Sequence, residues 1–297
     1  MTGVNRAIDA AAPPRGNARY RAAQGVLWRP WLRIDRLASC HRRPLPNLLI
    51  IGAQKAGTTT LFDLLAEQPE FVGSRVKEPQ FLTSPVRFLP IYRTFFPLVD
   101  RHKPRPHVFE ATPYYLFHPD VPRRAARLLG RDPGLRVIAI LRDPIERARS
   151  HHEHNLRYGL EHLPFERAVD AEPTRLAQRG RAGRFAHRHH SYIARGMYAP
   201  QLARWFDAIG RERVGVWFFE ELFEDAARGV GEVLDWLGVP VERRAPVAPR
   251  RSNAGSTREP LDATLRPRLH AMFEPDRCEL ESLLARRTPT PWLGSSA

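Results

Sequence analysis

Pro46-Asn47-Leu48-Leu49-Ile50-Ile51-Gly52-Ala53-Gln54-Lys55-Ala56-Gly57-Thr58-Thr59-Thr60 decides how this chain folds. Four aliphatic residues in an unbroken run ending at a glycine describe a strand buried on both faces. From Thr58 to Glu67 the residues Leu61, Phe62, Leu64 and Leu65 share one helical face, and Pro69 closes the segment. Between strand and helix, Gly52 to Gly57 is a loop of mostly small residues, which let a backbone approach a ligand closely. A strand, such a loop and a helix N-terminus in that order gather main-chain N–H groups on an anion. Lys55 adds a mobile positive charge, and the threonine hydroxyls add donors. The loop therefore reads as a phosphate cradle and not as an ordinary strand-to-helix turn.

Outward from this point the pattern repeats. Val108-Phe109, Arg136 to Leu141 and Val214 to Phe219 read as further strands, with helices over Val121 to Leu129, Pro144 to Arg157 and Tyr198 to Ala208. Strands alternating with helices predict an α/β fold, a P-loop-like central parallel sheet flanked by helices. Two amphipathic stretches, Leu265 to Phe273 and Cys278 to Leu284, follow. The boundaries expected are a basic extension over 1–45, flexible at least to about residue 20, one domain over 46–290, and a short tail over 291–297. A patch in the extension, Val26-Leu27-Trp28 with Trp31-Leu32, is expected to dock on the domain. A length of 297 residues allows one large domain or two ordinary ones, and the continuous alternation favours one.

Composition narrows the function. Forty-seven Lys and Arg against 32 Asp and Glu leave a net charge of +15, which points to an anionic partner. Lysine is scarce, only Lys55, Lys77 and Lys103, so a lysine kept in the cradle stands out against the arginine bias. No stretch approaches the ~20 apolar residues of a membrane span, and the first residues lack the apolar core of a signal peptide. Two cysteines, Cys40 and Cys278, make neither a disulfide framework nor a zinc ribbon. These features lead us to expect a cytoplasmic protein.

The order of residues in the cradle limits its ligand. Nucleoside triphosphatases place lysine directly after the second glycine of G-x-x-x-x-G-K-[ST]. Here Lys55 precedes Gly57, and Thr58 takes the later place. The strand over 136–141 runs into Arg142-Asp143-Pro144 and offers a planar guanidinium fork, suited to an oxyanion, where a magnesium-holding acid is expected. The ligand expected is a phosphorylated nucleotide held without metal.

Strand–GxQKxGTT–helix followed by LRDPxERAxS, about 85 residues apart, resembles the sulfotransferases that use 3′-phosphoadenosine 5′-phosphosulfate (PAPS) and release PAP. The resemblance runs from about Pro46 to Leu284. It implies that Gln54, Lys55, Ala56, Gly57, Thr58 and Thr59 grip the 5′-phosphosulfate, and that Arg142 and Ser150 grip the 3′-phosphate. Arg251-Ser252-Asn253-Ala254-Gly255-Ser256-Thr257-Arg258 stands where the family wraps the donor, which implies a role for Gly255 and Ser256. Lys55 is also placed to relieve the negative charge that builds on the departing phosphate. Val76-Lys77-Glu78-Pro79-Gln80-Phe81 resembles the E-x-Q-F-F stretch of heparan sulfate N- and O-sulfotransferases, which implies that Glu78 takes the acceptor's proton. Phe109-Glu110-Ala111-Thr112-Pro113-Tyr114 resembles the family's E-K-T-P segment along the acceptor cleft, with Ala111 in place of lysine. The activity implied is sulfuryl transfer to a hydroxyl or amine of a carbohydrate or glycosylated small molecule. Alternatives are an ATP-dependent, kinase-like phosphotransferase and a non-catalytic nucleic-acid binder, although no nucleic-acid-binding module is recognisable.

Two further signals are set aside. His151-His152-Glu153-His154 lacks the spacing of a zinc site and is expected to form a solvated or cleft-facing helix. The run Arg175, Arg179, Arg181, Arg184, Arg188, His189, His190, with Glu172 as its nearest acid, reads as solvated surface or as a lid that greets an anion.

Overall fold

The computed structural model describes residues 34–86, 88–99, 106–247, 264–289 and Trp292. The Trp28 patch and the donor-wrapping segment with Gly255 and Ser256 lie outside these residues. Five strands, β1 (Leu48–Gly52), β2 (Phe71–Gly73), β3 (His107–Ala111), β4 (Arg136–Leu141) and β5 (Val214–Phe218), form one sheet in the order β2-β3-β1-β4-β5. All four pairings are parallel, with Leu48 opposite Phe109 on one side and Arg136 on the other, and Val137 opposite Val214. Helix α1 (Ile34–Ala38) precedes β1, and further helices lie between the strands: α2 (Thr58–Ala66), α3 (Leu89–Arg93), α4 (Tyr114–Phe117), α5 (Val121–Leu129) and α6 (Pro144–Arg157). Then come α7 (Phe165–Leu176), α8 (Gly180–His189), α9 (Ala199–Ile209), α10 (Phe219–Glu224), α11 (Ala226–Trp236) and α12 (Leu265–Leu284).

The central strands are apolar throughout because both of their faces are covered. Every residue of β1 is buried, as is every residue of β4 after Arg136. From β1 the chain moves outward to β2, returns through β3, and then crosses β1 to reach β4. That reversal places a crevice at the carboxyl ends of β1 and β4, the usual seat of a ligand in an open parallel sheet.

Two local expectations are corrected, and one strand is added. β2 is three residues long, too short for a periodicity signal. Phe219 starts α10 and does not extend β5. The two C-terminal stretches form one 20-residue helix, α12, which runs through Pro275. Buried Leu269, Phe273 and Leu280 hold it against the domain. Asp276, next to the proline, accepts from the N–H groups of Tyr198 (2.7 Å) and Ala199 (3.1 Å). That tertiary anchoring outweighs the hydrogen bond an interior proline removes.

Arg43, ahead of the expected boundary, is buried and donates to the carbonyl of Phe96 at 2.6 Å. Arg93 donates to the carbonyl of Arg43 in turn. Among the described residues no helix is long and apolar enough to cross a membrane.

Candidate active site

Two helices begin at the crevice, and they end differently. α6 is closed by its own N-cap, Asp143, whose carboxylate accepts from the N–H groups of Ile145 (2.8 Å) and Glu146 (3.1 Å). Burial raises that carboxyl to about 6, with those two N–H groups opposing. α2 is preceded by Gly57, at φ 79°, which supplies no side-chain cap. A Cβ at Gly57 would sit 2.4 Å from Cε2 of Phe223, so both conformation and space demand glycine. The first-turn N–H groups of α2 thus lack a capping side chain from the chain itself, which suits an external anion.

The loop residues are held from below. The N–H of Ala53 donates to the carbonyl of Ile140 at 2.6 Å, locking the loop to β4. Arg142, just past β4, donates from Nη1 to the carbonyl of Lys55 at 3.0 Å and lies 4.7 Å over the Phe219 ring. Its own carbonyl accepts from the Tyr198 hydroxyl at 2.8 Å. The two sequence motifs, distant along the chain, are therefore in direct contact. Thr58 is buried at the start of α2, Thr59 is exposed, and Ser150 is buried on α6, two turns from the Asp143 cap.

Across the crevice, Glu78 and Gln80 flank Pro79 with φ 51° and 53°, and Lys55 has φ 72°. Among the described residues only Ala285 joins them as a non-glycine residue of positive φ. A left-handed residue with a side chain costs about 1–3 kcal/mol, and such conformations gather where side chains must be aimed. The segment is pinned behind Glu78. The Gln80 N–H donates to Thr112 Oγ1 (3.4 Å), the Leu82 N–H donates to the Tyr115 hydroxyl (3.1 Å), and Phe81 stacks on Tyr92 at 4.2 Å. Burial pushes the Glu78 carboxyl above its ordinary range, and the charges of Lys77, Arg188, Arg195 and Lys55 draw it partly back.

A cleft of about 300 Å³ joins the two sides, lined by Thr58 and Thr59 of α2 and by Lys77, Glu78, Ala111 and Pro113. Glu110, in the segment expected along this cleft, is instead fully buried in β3. It accepts from the hydroxyls of Tyr92 (2.5 Å), Thr112 (2.5 Å) and Tyr115 (2.9 Å), and burial raises it to about 7. It ties α3 and α4 to β3, whose end supplies Ala111 to the cleft wall.

The histidine motif is corrected as well. His151 and His152 are buried, His151 against the Tyr192 ring at 5.0 Å and His152 donating to the carbonyl of Leu163 at 2.8 Å. His154 packs on the Tyr158 ring at 4.6 Å and is lowered to about 4 by burial and then by the charges of Lys55 and Arg157. Among the described residues no group of three or more His, Cys, Asp and Glu side chains is arranged to hold a metal.

The arginine run divides. Arg179, Arg181 and Arg184 are exposed. Arg175 turns inward to Glu161, at 2.6 Å and 3.2 Å, and Glu172 is occupied by the N–H groups of Ile193 (2.7 Å) and Ala194 (2.8 Å). Arg188 donates to Oε1 of Gln80 and lies 5.4 Å over the Tyr114 ring. Arg195, which no motif singles out, donates to Oε1 of Gln54 in the loop. An isolated arginine in an arginine-rich sequence carries no signal; only tertiary structure reveals it.

The sulfotransferase domain model matches residues 45–255. The chain is similar to human bifunctional heparan sulfate N-deacetylase/N-sulfotransferase 2, 29% identical over 68% of this chain and 22% of that protein. It is 30% identical to mouse heparan sulfate glucosamine 3-O-sulfotransferase 6, over 77% of this chain and 60% of that one. The chain thus spans less than two thirds of the length of these curated relatives. Among solved structures, a sulfotransferase from Alicyclobacillus acidocaldarius superposes with a TM-score of 0.66 and 28% identity, over 84% of this chain and 99% of that one. These matches lend no support to the phosphotransferase or nucleic-acid-binding alternatives. With the family model covering more than half of its length and the parallel fold shared, the chain belongs to the sulfotransferase domain family.

Proposed function

We propose that the protein transfers a sulfuryl group from PAPS to a hydroxyl or amine of a carbohydrate or glycosylated small molecule, releasing PAP. The observation that carries this reading is the single cleft shared by Thr58 and Thr59, at the open N-terminus of α2, and by Glu78. A donor anion seated on the helix terminus and an acceptor resting on Glu78 would meet within it. Gln54, Lys55, Ala56, Gly57, Thr58 and Thr59 hold the 5′-phosphosulfate; Arg142 and Ser150 hold the 3′-phosphate, and Gly255 and Ser256 complete the donor site. Glu78 removes the acceptor's proton as the acceptor atom bonds to sulfur. The sulfur–oxygen bond to PAP breaks in the same step, and the ammonium of Lys55 offsets the charge gained by the departing phosphate. A raised carboxyl pKa suits this role, because a base nearer to neutrality drives proton removal better than an ordinary carboxylate. No metal is required by these residues. The likeness to two heparan sulfate-modifying enzymes favours a carbohydrate acceptor, and two free cysteines suit a reducing, cytoplasmic compartment.

The test is transfer of label from sulfur-labelled PAPS to a panel of amino- and hydroxyl-bearing oligosaccharides, by wild type and Glu78→Gln. The reading expects labelled glycan and PAP in equal amounts, lost in the variant. Donor hydrolysis with no labelled product across sugars and non-sugar alcohols would overturn the carbohydrate assignment.

A further inference from the structure

Arg195 lies in a short 3₁₀ turn, Ala194–Gly196, and is 2% exposed. Its guanidinium donates in three directions. Nη1 reaches Oε1 of Gln54 in the phosphate loop. Nη2 reaches the carbonyls of His187 (3.1 Å) and Arg188 (2.8 Å) at the end of α8. Nε reaches Ser191 Oγ (3.1 Å), which itself donates to the His187 carbonyl (2.8 Å). The group also lies over the rings of Tyr114 and Phe117, at 5.0 and 5.1 Å.

None of these bonds goes to a carboxylate: Glu172, whose charge reaches Arg195, is engaged by two backbone N–H groups, and Glu78 feels the Arg195 charge without a hydrogen bond to it among the described residues. Burying a guanidinium that no carboxylate among the described residues bonds directly is costly, so packing alone does not account for an arginine here. Its planar fork, however, serves four acceptors at once, the Gln54 side chain, Ser191 Oγ and two carbonyls, one more than the three N–H groups of a lysine can reach. The helix end it holds carries Arg188, whose own guanidinium is bonded to Gln80, two residues from Glu78.

We propose that Arg195 is a positioning residue that clips the phosphate loop, through Gln54, to the helix end whose Arg188 steadies the Glu78 segment. The clip fixes the separation between the donor side of the cleft and the base. Its effect on rate rests on the sulfotransferase reading; its effect on loop order does not.

The experiment is hydrogen exchange on the nucleotide-free full chain, paired with kinetics, for wild type, Arg195→Lys and Gln54→Ala. The clip requires amides 53–57 to exchange about tenfold faster in both variants, with β4 amides unchanged. It also requires Arg195→Lys to lower kcat about thirtyfold or more while the PAP dissociation constant moves less than about threefold. Unchanged loop exchange in a folded variant overturns the clip. Parallel losses of kcat and PAP affinity make Arg195 a donor ligand and overturn the positioning role. Should Arg195→Lys fail to fold, loop exchange in Gln54→Ala decides. Should wild type neither bind PAP nor transfer sulfate, the proposed function fails, and loop exchange still decides the clip.

Discussion

The two sides of the cleft are built by different means. The proposed donor side consists of contiguous backbone: a strand end, a loop over 52–57 and the open start of α2, with Arg142 arriving from the adjacent strand. The proposed acceptor side is assembled from side chains supplied by distant segments: Glu78 and the β3–α4 corner, which line the cleft, with Gln80 and Arg188 of α8 bonded to each other behind them. An anion can be bound by main-chain N–H groups, which any sequence supplies if glycine and small residues permit the geometry. An acceptor must be selected, and selection requires side chains from whichever elements reach it. Substitutions on the donor side should therefore alter PAP binding and charge relief, whereas those on the acceptor side should alter proton removal and acceptor affinity.

The largest effect expected from breaking this division is at the base. Glu78→Gln should lower kcat by roughly 10²–10⁴ with PAP affinity retained, measured by steady-state transfer and by calorimetry. Because burial raises the Glu78 carboxyl above 4.5, wild-type kcat should fall as pH drops through a midpoint above that value, and the variant should lack this limb. Next comes Lys55→Ala on the donor side, expected to cost about 10²–10³ in kcat by loss of charge relief. A parallel loss in acceptor affinity would blur the division.

Behind the acceptor wall, Glu161→Gln should cost about 3 kcal/mol of stability in urea unfolding, because it leaves the inward-turned Arg175 partly buried without its partner. Burial alone would raise Glu161, but the Arg175 bonds and the N–H groups of Leu163 and His162 pull it down to about 2. Its stabilisation should be complete above about pH 4.5 and lost as pH falls toward 2. A smaller effect belongs to Arg142→Ala, which should weaken PAP about 10–100-fold, equivalent to one charge-assisted contact, and weaken a nucleotide lacking the 3′-phosphate less, through loss of the bond to the Lys55 carbonyl alone. The smallest is the exposed triple replacement Arg179, Arg181 and Arg184 to Gln, with a stability change within about 0.5 kcal/mol. If these arginines greet an anionic acceptor, its KM rises and PAP affinity stays; the reverse pattern would remove them from the acceptor side.

The same division governs what could be read from the sequence. β1, β4, β5, α2, α5 and α6 were legible because buried parallel strands are continuous apolar runs and helices carry their own periodicity. Both motifs were legible, but the contact between Lys55 and Arg142 was not, because it depends on a strand order that sets β4 beside β1. Glu78 was legible only through its resemblance to a family stretch. The roles of Arg188 and Arg195 were hidden, since their partners Gln80 and Gln54 lie 108 and 141 residues away. Nor could spacing show that the Glu110 carboxylate is buried within β3, or that His151 and His152 face the interior. Those outcomes depend on tyrosines and carbonyls supplied by other elements.

The most direct test of the account is titration calorimetry of the full chain with PAP in EDTA, with ATP and magnesium as the control. The account predicts metal-free PAP binding, weakened by Arg142→Ala, and weak binding of ATP. Magnesium-dependent ATP binding with no PAP signal would contradict it.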